Sequence, residues 1–165
     1  MDLKGSDIIS IVSLIISIGS VYFAKSSSKQ ANSIARENLN LQYGMVELEI
    51  SQSIEGAKSS ITEISMVMVP YVAKENDKSI TSEESAILNL YRKNFNAATQ
   101  TLINYYDSAC SKYTDGKVDK VRFKKTYKTE IRRLLENEDL KEYFNPLTSS
   151  YKPILNVYAE WENLE

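Results

Sequence analysis

The sequence predicts an all-α protein: an N-terminal transmembrane helix and stalk followed by a cytosolic helical bundle of about four helices. Three observations predict it. Residues 8–24 (IISIVSLIISIGSVYFA) carry no charge, and the rest of the chain repeats apolar residues at three- and four-residue spacing. The 165 residues also include only five Gly and three Pro, which argues for long helices and few tight turns. The expected organisation is an anchor over 1–25, a stalk over 26–44 and a bundle over 45–165.

The uncharged stretch is bounded by Asp7 and Lys25. As a helix it is about 26 Å long, slightly short of a hydrocarbon core of about 30 Å, and Lys25 makes up the difference by snorkelling. Lys25, Lys29 and Arg36 follow the span, whereas Lys4 before it is offset by Asp2 and Asp7. Basic flanks stay cytoplasmic, so the N-terminus is expected outside and the C-terminal domain inside. A cleaved signal peptide is the competing reading; Tyr22-Phe23-Ala24 is a poor cleavage site for it. Ser10, Ser13, Ser17, Ser20 and Ala24 recur at heptad spacing, a stripe of small residues that lets two helix backbones approach and favours a homo-oligomer. The plainer alternative is that each serine bonds its own preceding turn. A pore lined by the stripe is disfavoured, because the span holds no charge to mark an ion path.

After the span, Ala31, Ile34, Ala35, Leu39 and Leu41 form a thin apolar face on an expected stalk helix, with Ser26-Ser27-Ser28 its weak point. Beyond Gly44, the stripe Val46, Ile50, Ile54, Ala57, Ile61, Ile64, Met68 predicts a core-facing helix that Pro70 kinks or ends, with a turn at Asn76-Asp77-Lys78. Glu47, Glu49, Glu55 and Glu63 are expected on solvated faces. Thr81-Ser82-Glu83-Glu84 reads as a capping box opening a helix whose stripe is Leu88, Tyr91, Phe95, Ala98, Leu102, Tyr105, Ala109, closed by Gly116. A further helix starts at Asp119 with Val121, Tyr127, Ile131, Leu134 and Leu135. A short segment with Leu140, Tyr143 and Phe144 stops at Asn145-Pro146. The last helix begins near Tyr151 with Ile154, Leu155, Tyr158, Trp161 and Leu164. Their aromatics are expected to be core rather than a ligand platform.

The chain has no histidine and one cysteine, Cys110. Zinc sites of the Cys/His type, carboxylate-histidine di-iron sites and Ser-His or Cys-His triads are thereby excluded, and no intramolecular disulfide can form. No catalytic residue, metal or cofactor is expected. The one chemically suggestive stretch is Lys112–Arg133, with nine basic residues against three acids, net +6 in a chain of net −2. Lys117, Lys120, Arg122, Lys124, Lys125 and Lys128 are its candidate ligands for an anionic lipid, nucleotide or nucleic acid. The plainer reading is a solvated face pairing with the acidic C-terminal part. Nucleic acid is disfavoured by the acidic overall balance.

The run YTDGKVDKVRFKKTYKTEIRRLLEN and the closing YKPILNVYAEWENLE, with a single N-terminal span, resemble uncharacterised bacterial single-span membrane proteins with a cytosolic helical domain, some described as phage abortive-infection proteins. The resemblance implies the bacterial inner membrane and a setting in phage defence, and it carries over no site residue. The expected protein is a non-enzymatic adaptor, sensor or effector that self-associates through its span and works with a protein partner encoded nearby. The alternative is an anion-binding module using segment 112–133.

Overall fold

The computed structural model describes residues 5–163; among residues 5–22 it describes the backbone and, for Ser20 alone, the side chain. The described chain is helical, with α1 over Gly5–Asn76, α2 over Ser82–Thr114, α3 over Lys120–Glu136, a 3-10 segment over Glu138–Phe144 and α4 over Lys152–Glu162. It divides into two compact units, Met1–Gln42 and Tyr43–Glu165.

In the first unit the backbone from residue 5 is helical, including Ser26, Ser27 and Ser28. Side chains 23–42 are all exposed, the expected thin face of Ile34, Leu39 and Leu41 included. Among the described residues no helix is long and apolar enough to cross a membrane. The expected span Ile8–Ala24, and with it Ser10, Ser13 and Ser17, lies almost wholly outside the described side chains; Ser20 and Ala24 are exposed.

The second unit is built by alternation. Its part of α1 runs antiparallel to α2, as Tyr71 against Tyr91 and Glu49 against Lys112 show. α3 turns back parallel to α1, with Arg122 at Glu47 and Glu130 at Lys58. α4 runs parallel to α2, with Tyr151 bonded to Asn104 and Glu160 to Tyr113. Short connections force this up-down order. Each end is chemically marked. Thr81 and Glu84 form the capping box, in which the Glu84 N–H donates to Thr81 Oγ1 at 3.2 Å and the Thr81 N–H to Glu84 Oε2 at 3.0 Å. α2 ends in a Schellman arrangement: the Gly116 N–H donates to the Tyr113 carbonyl and the Lys117 N–H to the Lys112 carbonyl, with Gly116 at φ +68°. Asp119 caps α3 through the Arg122 N–H. The start of α4 has no cap of its own, and Asp107 on α2 accepts the Ile154 N–H instead.

The core joins Ile50 and Ile54 of α1, Ile103, Tyr106, Cys110 and Tyr113 of α2, Phe123, Tyr127 and Ile131 of α3, and Ile154, Val157 and Trp161 of α4, with Val118 and Phe144 from the connections. Several expectations are corrected. Pro70 does not end the helix, which continues to Asn76; the ring removes one hydrogen bond on an exposed face, and Tyr71 just beyond it packs against Tyr91 of α2. Tyr105 lies 40% exposed while Tyr106 is buried, because a strict heptad drifts by about 20° per repeat on a straight helix. Val121 is 81% exposed, and Phe123 takes the core position. Of the α1 glutamates, Glu49, Glu55 and Glu63 are exposed as expected, while pairing with Lys112, Lys58 and Ser59, whereas Glu47 is 18% exposed and accepts from the Asp119 N–H and Arg122.

A candidate anion-binding face on α3

The inward row of α3 is Phe123, Tyr127, Ile131, one residue per turn. Lys120, Lys124 and Lys128 each stand three residues earlier, so they form the next row, about 60° round the helix. These three lysines, with Lys125, Tyr113 and Thr129, line an open surface groove of about 570 Å³. Along the helix axis the lysine backbone positions recur at about 6 Å intervals.

Two of the lysines are held from beneath by the aromatic core. Lys120 Nζ lies 4.9 Å from the Tyr113 ring centroid and Lys124 Nζ lies 6.0 Å from that of Trp161. The ring faces attract the ammonium groups without neutralising them, so the charge remains available at the surface. Behind them, the Tyr113 ring meets Trp161 edge-on at 5.5 Å and Phe123 at 5.4 Å. The Trp161 Nε1–H donates to the Tyr113 hydroxyl at 3.2 Å, which donates to Glu160 at 2.8 Å. Burial pushes the Tyr113 phenol up, so it stays a neutral donor.

The six candidates do not all converge. Arg122 projects to another side and binds Glu47 at 2.5 Å, and Lys117 sits in the connecting loop 3.4 Å from Asp115. Lys112 is likewise paired with Glu49 at 3.0 Å and Arg132 with Glu162 at 2.5 Å. By contrast Lys120, Lys124 and Lys125 have no carboxylate partner among the described residues. The basic segment thus separates into Lys112, Lys117, Arg122 and Arg132, which pair with carboxylates, and Lys120, Lys124 and Lys125, which do not among the described residues. The pairing with the acidic C-terminal part expected from sequence is made by Arg132; α1 supplies the partners of Lys112 and Arg122.

A second polar cluster ties three helices. Lys58 Nζ donates to Glu130 at 2.9 Å and Glu55 at 2.8 Å, and the Tyr106 hydroxyl donates to the other Glu130 oxygen at 2.5 Å. Burial alone would raise the Glu130 pKa, but Tyr106 and Lys58 outweigh it and hold the carboxyl below its ordinary range. Burial and the Glu130 bond push Tyr106 far up. Each of the four side chains is bonded to another of the cluster, which is the pattern of a structural strut. Cys110 is fully buried, and burial pushes its thiol well above the reactive range. No group of three or more metal-ligating side chains occurs among the described residues.

Compared with protein-family profiles, with curated proteins and with solved structures, the chain finds no match.

Proposed function

We propose that the protein is a membrane-tethered, non-enzymatic binding module. Residues 8–24 form its single span with the N-terminus outside, residues 26–44 form the stalk, and a cytosolic bundle of about four helices presents the α3 lysine row to phosphate groups of anionic lipid head groups. The observation that carries this reading is the grouping of Lys120, Lys124, Lys125 and Lys128 along one open groove, with Lys120 and Lys124 set over aromatic rings. Lysine suits the task because an ammonium is a strongly hydrated point charge with three rotatable donors that adapts to a mobile head group. The anchor reading is supported by the uncharged stretch and the basic residues that follow it.

The sole tryptophan, Trp161, lies under Lys124 and is a built-in reporter. The full chain titrated with a soluble inositol phosphate is expected to change its Trp161 emission, with affinity falling as salt rises. Lys124→Glu, Lys125→Glu and Lys128→Glu together should weaken binding at least tenfold, while Lys117→Glu leaves it within about twofold. Unaltered affinity in the triple variant would sink the reading.

A second reading is supported by the heptad of Ser10, Ser13, Ser17, Ser20 and Ala24. In it the span self-associates and the protein acts as an adaptor, sensor or effector in phage defence, the setting its resemblance implies.

A further inference from the structure

Between the end of α3, the 3-10 segment and α4 lies another open groove, of about 530 Å³, floored by Leu135, Phe144, Leu155 and Ala159. It shares no residue with the groove of the lysine row. Along α4 it runs from Lys152 to Ala159, about 10 Å or two turns, a small-molecule dimension and short for a docked helix. Its polar groups gather toward the start of α4. Lys152 Nζ donates to the carbonyl of Pro146, itself a lining residue, at 2.7 Å, which holds the ammonium at the rim with donors to spare. Asn156 stands one turn further on the same row of α4, with Cβ atoms about 6 Å apart, and its amide has no partner among the described residues.

We propose that this groove binds a small amphipathic carboxylate, its oxygens taken by Lys152 and Asn156 and its acyl tail laid over Leu135, Phe144, Leu155 and Ala159. Three features select that occupant. Lys152 has no carboxylate partner among the described residues, although residues 134–165 hold seven acids against two lysines and the other lysine, Lys141, pairs with Glu138. The acids nearest in the fold are engaged elsewhere: Glu136 by the Tyr158 hydroxyl, Glu160 by Tyr113 and Glu162 by Arg132. The cation is thus left for an anion from outside, and an ammonium beside an amide supplies donors for both oxygens of one carboxylate. The net −5 of the same segment disfavours a doubly charged phosphate, so the fitting head carries one charge. The apolar floor requires a tail, and about 10 Å corresponds to a chain of about eight carbons.

The probe is an eight-carbon carboxylate with a diazirine at the tail end, photolysed with the full chain in detergent and mapped by peptide mass spectrometry. Label is expected within residues 135–159, the span of the lining. Lys152→Met should cut it about tenfold, as for a lost charged hydrogen bond, whereas Lys152→Arg keeps it within about twofold. The methyl ester of the probe should label the parent and Lys152→Met alike. Ala159→Phe, at an exposed position, should fill the groove and remove the label with helicity unchanged. Carboxylate label that persists in Lys152→Met, or that survives Ala159→Phe, marks an unselective apolar surface and overturns the proposal. Label spread evenly along the chain overturns it too.

Discussion

Glu130 shows how one side chain links three helices. Its oxygens are divided between Lys58 from α1 and Tyr106 from α2, and its pKa is lowered. A carboxyl depressed in the folded state stabilises the fold above its free value of about 4.3, and that contribution is lost as pH falls through the folded value. Glu75 and Glu84, lowered by Arg92 and Lys74, act in the same direction. Asp107 acts in the other: burial raises it, against the Ile154 N–H that lowers it, so acidification relieves a cost there. Glu130→Gln should be less stable than the parent at neutral pH and flatter between about pH 5 and 3, measured as the urea midpoint against pH. Parallel curves would show that the Lys58 charge does not depend on Glu130 for its compensation.

Among the elements, the helix ends follow from local chemistry and the helix phases only in part: Ile50, Ile54, Leu88, Ala109, Tyr127, Ile131, Ile154 and Trp161 are buried as their spacing predicts, whereas Tyr105 and Val121 are not. The Thr81–Glu84 box and the Gly116 terminus are readable from four residues each because the partners are sequence neighbours. The phase of α2 needs the whole helix: a heptad begun at Leu88 has drifted by about 60° after three repeats, which moves the core from Tyr105 to Tyr106 and brings in Ile103, Cys110 and Tyr113. In α3 the apolar Val121 is a decoy, and the cap at Asp119 fixes a register in which Phe123, Tyr127 and Ile131 point inward. The candidate site was legible as a basic segment and not as a face. Arg122 differs from Lys124 only in its direction, and the carboxylate that claims it lies on α1, 75 residues away. Glycine position separates the two kinds of information. Gly116→Ala should destabilise by about 1 kcal/mol, because φ +68° strains any side chain. Gly56→Ala, in a helix interior with nothing within 4 Å of the new methyl, should stabilise by about 0.5–1 kcal/mol. Thermal unfolding of the two variants checks the opposed signs.

On the scale of the whole molecule, the proposed self-association through the serine stripe of 10–24 is open to a direct test. Ser13→Leu with Ser17→Leu should reduce oligomer size in detergent if the span associates. Unchanged size in detergent and in lipid would remove the stripe as an assembly device. Charge is divided along the chain: residues 112–133 carry +6 and residues 134–165 carry −5, and Arg132 pairs with Glu162 across the two segments.

The borrowed cap at the start of α4 has a kinetic consequence. With 11 residues and no N-terminal cap of its own, α4 is too short to persist alone, and its contact through Asp107 lies on the same face of α2 as Cys110, one turn away. Opening the α2–α4 seam exposes Ile154, Val157 and Trp161 as well as the thiol, so it is a costly excursion. Cys110 therefore keeps a clock of breathing at the α2–α4 seam: its rate of alkylation under native conditions, divided by that of an unprotected thiol, reads the fraction of time the seam is open.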